Sequence, residues 1–167
     1  EPPIMDGSSK FFVEALEKAG TEEQEEDRDE FVVTDIICYR DDNGSEIILM
    51  PADEYQVTTM VDFGTKVLGT QNASIEHISE FKTEIADSRT FSFLHEIETL
   101  LEHGLIKGGD LNNAIVYVDK EISEDTLEKL RVAFDRDDIS VKPNGILDNL
   151  TLHHPNEAAR HKLLDVI

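Results

Sequence analysis

The sequence predicts an α+β protein, a two-layer sandwich in which helices pack on a small mixed sheet. Three observations lead there: helix-like and strand-like runs follow one another in mixed order, a hairpin-type turn joins two of the strand runs, and one helix feeds back into a short apolar strand. Apolar residues make up 39% of the 167 positions and fall in regular clusters, enough for a real core.

Taken in order, Asp6-Gly7-Ser8-Ser9 is turn chemistry ending in a cap, and Phe11, Phe12, Ala15, Leu16 and Ala19 follow at helical spacing before Gly20. A helix over 8–19 is expected, stopped by the glycine. Thr21 to Glu30 is almost wholly acidic or polar and reads as a solvated connection. Strand runs follow at 31–39, 46–50 and 55–63, with Asp41-Asp42-Asn43-Gly44 turning between the first two, which predicts an antiparallel meander. A helix is expected over 74–86. After Ser88 to Phe93 comes a second helix whose buried stripe is Ile97, Leu100 and Leu101, ended by Gly104. Ala114 to Val118 is a buried strand, and Ile122, Leu127, Leu130, Val132 and Phe134 mark a surface helix on an extended insertion. Pro155 then opens a last helix with Ala158, Ala159, Leu163, Leu164 and Ile167 inward.

A formal net charge of −22 repels nucleic-acid backbones and anionic lipid surfaces, so neither is the expected partner. No apolar run approaches the roughly 20 residues that span a bilayer, and no signal peptide opens the chain, so a soluble protein without a transmembrane segment is expected. The single cysteine, Cys38, has no internal partner; it reads as a small core residue of a strand in a reducing compartment. The chain does not start with methionine and reads as a piece of a longer protein, its first 20 residues belonging to a neighbouring unit.

The chemistry concentrates near the end. His161 and Asp165 stand four apart, on one face of a helix, and offer a nitrogen and an oxygen donor suited to zinc; on spacing alone such a pair is more often a weak ionic contact than a metal site. His153 and His154 are adjacent and diverge, so neither is assigned a ligand role; His77, His95 and His103 read as exposed helix residues. Thr90 could donate to a developing oxyanion or cap a helix, and Gly108-Gly109-Asp110 could bring backbone to a ligand or make a tight turn.

Five segments in order, Pro3-Ile4-Met5-Asp6-Gly7-Ser8, Val61-Asp62-Phe63, Arg89-Thr90-Phe91-Ser92-Phe93, Gly104 to Ala114 (GLIKGGDLNNA) and Arg160-His161-Lys162-Leu163-Leu164-Asp165, together resemble the zinc-dependent UDP-3-O-acyl-N-acetylglucosamine deacetylases of lipid A synthesis. The resemblance implies a cytoplasmic Gram-negative enzyme built of two similar α+β domains facing one another. Residues 1–20 would be the tail of the first domain, 21–30 the acidic connection and 31–167 most of the second. An inserted strand-helix-strand element, matched by Phe93 to Val118, would form the acyl passage.

By the same resemblance His161 and Asp165 are two of three zinc ligands, and Lys162 meets the nucleotide phosphate. Phe63 stacks on the uracil, Thr90 holds the oxyanion, and Phe91, Gly109 and Asp110 line the substrate groove. The implied reaction is metal-assisted amide hydrolysis of a UDP-sugar lipid precursor, releasing acetate and a free 2-amino sugar. The family's third ligand and general-base glutamate precede the first motif, and its general-acid histidine follows the last, so the 167 residues alone are expected to be inactive and to hold zinc weakly. Some relatives are fused to a hydroxyacyl-carrier-protein dehydratase. The competing reading is a non-enzymatic interaction module that docks a partner through its acidic surface and residues 119–152.

Overall fold

The computed structural model describes residues 3–103, 111–147 and 150–167, without the side chains of 98, 101 and 102. Its described elements are α1 (Lys10–Ala19), β1 (Ile37–Arg40), β2 (Glu46–Leu49), β3 (Val57–Asp62), β4 (Thr70–Ile75), β5 (Phe91–Phe93), α2 (Leu94–Glu102), β6 (Ile115–Tyr117), α3 (Glu124–Phe134) and α4 (Glu157–Val166). The α+β class holds. The strands form three two-stranded ladders: β1 with β2 and β3 with β4 antiparallel, β5 with β6 parallel.

The first strand is shorter than the apolar run predicts, because 31–36 pairs with nothing in a described ladder. Asp41 closes the β1–β2 turn, its carboxylate accepting the Asn43 and Ser45 N–H groups at 2.9 and 2.8 Å. The expected meander stops there, since β3 takes β4 rather than β2 as its partner. Cys38 corrects a second expectation: both faces of the β1–β2 hairpin are exposed, and the cysteine with them.

The helix expected over 74–86 is also replaced. Thr70–Ile75 is strand β4, with Ala73 and Ile75 buried two apart as the pleat requires, and 78–85 is a 3₁₀ turn followed by a single π turn. Ile75, Ile78, Phe81 and Ile85 have helical spacing, which is why the period misleads. His77 caps that 3₁₀ turn, its Nδ1 accepting the Ser79 N–H at 3.2 Å.

Two hydrophobic clusters organise the core. In one, α4 lies across β3 and β4, its Ala158, Ala159 and Leu163 fully buried against Val61, Ala73, Ile75, Ile85, Phe93 and Tyr117. The paired alanines let the helix approach the strands closely. The other joins α2, α3 and β6 through Leu94, Ile97, Leu111, Val116, Leu130, Ile139 and Leu147. α3 is thus the expected surface helix: Ser123 caps it by accepting the Thr126 N–H, Leu130 is buried, and Val132 faces outward. The strand-helix-strand element is present as β5-α2-β6, with Ile97 inward, Leu100 exposed and Leu101 outside the described side chains. Gly104 and Gly108 to Asp110 lie outside the described residues.

Candidate functional site

The candidate site forms where α4 crosses the segment entering β5. The start and the middle of α4 are fixed before any chemistry is considered. Asn156, its N-cap, donates from its side chain to the Asn72 carbonyl of β4 at 2.8 Å and accepts from Arg160 Nε at 2.9 Å. Pro155 precedes that cap rather than occupying the first turn. Leu163 fixes the middle of the helix from below.

His161 Nδ1 lies 3.0 Å from the backbone carbonyl of Ser88. A carbonyl oxygen only accepts, so Nδ1 carries the proton and Nε2 keeps its lone pair in the neutral ring. That Nε2 stands 3.6 Å from Asp165 Oδ1. Donors bound at about 2.1 Å to one tetrahedral zinc are roughly 3.4 Å apart, so the pair has the bite such an ion needs. The Ser88 carbonyl thus holds the ring through the nitrogen that faces away from Asp165, the kind of backbone contact that orients imidazoles bound to metals in general. Among the described residues no group of three or more His, Cys, Asp or Glu could hold a metal ion, so His161 and Asp165 offer two candidate donors without a third beside them.

The other Asp165 oxygen accepts from Lys162 Nζ at 2.9 Å, and the same ammonium sits 5.6 Å from the centre of the Phe91 ring. Phe91 meets Phe63 edge-on at 5.6 Å, and Phe63 meets Phe93 at 5.4 Å. Phe63 is held at the start of the β3–β4 loop, where Asp62 accepts the Thr70 hydroxyl at 2.7 Å and the Gly64 N–H at 2.8 Å. These two bonds, the hydroxyl first, hold the Asp62 carboxyl below its usual pKa. His161, Asp165, Lys162, Phe91 and Phe63 therefore form one continuous strip: an imidazole, a carboxylate, a cation and two aromatic rings, of which Phe63 is exposed. Gly109 and Asp110 lie outside the described residues.

Thr90 joins this strip from the backbone side. Its N–H donates to the Gly7 carbonyl at 2.8 Å and its carbonyl accepts from the Ile115 N–H at 2.8 Å. Gly7 has φ of +80°, and a Cβ there would run into the Asn113 carbonyl. The Asp6-Gly7-Ser8 turn needs glycine because it lies directly against that carbonyl and the threonine. His153 and His154 are tied elsewhere, both to Asp87: His153 Nδ1 lies 2.9 Å from its carbonyl and His154 Nε2 lies 2.9 Å from Oδ1.

Sequence reasoning passes over the group beneath the site. Glu157 is fully buried and accepts from Arg89 Nε at 2.8 Å, Arg89 Nη2 at 3.2 Å, the Arg89 backbone N–H at 3.1 Å and the His153 N–H at 2.7 Å. Arg89 Nη2 also donates to the Thr151 carbonyl at 2.6 Å. Burial alone would push the Glu157 carboxyl up; the four bonds and the guanidinium charge overcome it and hold the group below its ordinary value. Nothing in sequence marks this pair, since an acidic residue in a first helical turn is ordinary and its partner is 68 positions away. The one available signal is that Arg89 opens the Arg89 to Phe93 motif.

The family model described as UDP-3-O-acyl N-acetylglycosamine deacetylase matches residues 1–136. It ends before α4. Three curated relatives align over all of this chain: the bifunctional enzymes LpxC/FabZ of Bacteroides thetaiotaomicron and Chlorobaculum tepidum, each 41% identical, and the UDP-3-O-acyl-N-acetylglucosamine deacetylase of Phenylobacterium zucineum, 35% identical. The chain spans 36%, 37% and 49% of their respective lengths.

Proposed function

The chain belongs to the UDP-3-O-acyl N-acetylglycosamine deacetylase family, and from that premise we propose that it supplies part of the active site of a zinc-dependent amide hydrolase acting in lipid A synthesis. The observation that carries this reading is the His161 and Asp165 pair. One imidazole tautomer is fixed by the Ser88 carbonyl, and Nε2 and Oδ1 are 3.6 Å apart. Zinc, when bound, acidifies water and polarises an amide carbonyl. His161 Nε2 and Asp165 would hold it, with the remaining protein ligand and the general base coming from residues outside these 167.

Each neighbouring side chain then has a task set by its chemistry. Lys162, on a flexible stem, exchanges its contact with Asp165 for the nucleotide phosphate. Phe63, nearly half exposed, offers a ring face to the uracil, and Phe91 lines the groove beside it, while the substrate-binding role of Gly109 and Asp110 rests on the sequence resemblance alone. Thr90 donates to the carbonyl oxygen as negative charge develops on it. We further propose that residues 1–20 end a first deacetylase domain, that 31–167 form most of a second, and that the intact protein works in the cytoplasm. Among the described residues no helix is long and apolar enough to cross a membrane. The LpxC/FabZ names of two relatives support fusion of the parent to a dehydratase.

The experiment is hydrolysis of UDP-3-O-acyl-N-acetylglucosamine by the intact protein. Activity that is removed by chelation, restored by zinc and absent in His161→Ala supports the proposal. Turnover that survives both chelation and His161→Ala defeats it, as does an intact protein that never deacetylates this substrate.

A further inference from the structure

Glu157 and His161 are four residues apart, so they project from the same face of α4, and both engage the same peptide unit of another segment. The Ser88 carbonyl takes the His161 Nδ1–H at 3.0 Å, while the N–H of that unit, belonging to Arg89, donates to Glu157 Oε1 at 3.1 Å. No described peptide bond is cis, so this carbonyl and N–H point in opposite directions. The plane is therefore stretched between two side chains of one helix. Glu157 sets its rotation, and that rotation aims the carbonyl at the imidazole.

We propose that Glu157 is a positioning residue for His161, holding it through the Ser88–Arg89 peptide in the tautomer that presents Nε2 to the metal. The inference rests on the zinc site proposed above. Two physical effects act in the same direction. The carboxylate fixes the plane, and an anion accepting the N–H of a peptide makes the carbonyl of that peptide a better acceptor, which strengthens the Nδ1–H bond. The arrangement is a carboxylate–histidine relay with one peptide plane interposed. The Arg89 side chain takes no direct part in it; its guanidinium neutralises a carboxylate that would otherwise be buried unpaired.

The test uses the intact protein and two variants. Glu157→Gln keeps size and an acceptor oxygen but loses the charge. Arg89→Met/Glu157→Gln does the same without leaving a buried unpaired guanidinium, and serves if the single variant does not fold. Ring ¹⁵N shifts of His161 in metal-free protein, followed over pH until the ring is neutral, read the tautomer independently of metal. Zinc affinity is read by competition with a chelator. Wild type should show one Nδ1–H tautomer, and the variants a mixture, with zinc held about 10- to 100-fold more weakly. Variants with the wild-type tautomer and wild-type affinity overturn the inference even if zinc binds. A wild type that takes up no zinc, with the tautomer still dependent on Glu157, overturns the proposed metal site and leaves the positioning role standing.

Discussion

Replacing Arg89 by methionine removes one half of a pair whose side chains are 6% and 0% exposed. Breaking a buried pair in this way costs about 3–5 kcal/mol, because the remaining charge stays buried without its partner. The three lost guanidinium bonds, at about 1.5–3 kcal/mol each for bonds to charged groups, would sum to more. The smaller figure is expected because Glu157 still accepts the N–H groups of residue 89 and His153, and relieves itself by taking up a proton. That escape gives the prediction a pH signature. In wild type the folded pKa of Glu157 lies below its ordinary 4.5, so its contribution is complete above that value and is lost as pH falls through the folded one. In the variant, burial without the guanidinium raises the folded pKa, and stability is instead lost as pH rises. The difference between the two proteins should therefore be about 3–5 kcal/mol at neutral pH and shrink steadily towards pH 4. Urea unfolding across that range measures it. A neutral-pH loss under about 1 kcal/mol, or a loss that does not change with pH, refutes the reasoning.

Gly7→Ala combines a left-handed backbone, about 1–2 kcal/mol for an L-residue, with overlap of its Cβ and the Asn113 carbonyl. Gly69→Ala has φ of +66° but open space around it, so its Tm should fall by clearly less than that of Gly7→Ala; equal shifts would rule out the close approach. Leu163→Ala, at a fully buried position on the inner face of α4, should cost about 3–4 kcal/mol by unfolding, whereas a loss below about 1 kcal/mol would mean that α4 is not seated on β3 and β4. Burial, first among its causes, pushes the Tyr117 phenol up to about 12 from an ordinary 10. Its unfolded form ionises first, so wild type should lose stability between about pH 10 and 12 and Tyr117→Phe should lose less there; identical alkaline profiles would contradict this.

What the sequence discloses follows from how local each signal is. α1, α3, β6 and α4 carry their period, cap or stop within a dozen residues, and each stands close to where those signals put it. β4 does not, because apolar positions from Ile75 to Ile85 fit a helical period while pairing with β3 decides the outcome at Ala73 and Ile75. The failed meander has the same origin: strand partners are chosen at a distance. The apolar neighbours of Cys38 predict a core position, yet both faces of its hairpin are open. In the site, the four-residue spacing of His161 and Asp165 is visible in the sequence. The Ser88 carbonyl that selects the tautomer and the Glu157 that holds its peptide are not, since they join segments some 70 positions apart and involve backbone atoms that no motif records.

The proposed function requires one divalent cation shared by two side chains of α4, His161 and Asp165. Equilibrium dialysis of the intact protein against micromolar zinc, with metal counted per chain, tests it most directly. One zinc in wild type, retained in Lys162→Ala and lost in both His161→Ala and Asp165→Ala, is the predicted result. Wild-type zinc content in His161→Ala and Asp165→Ala contradicts it.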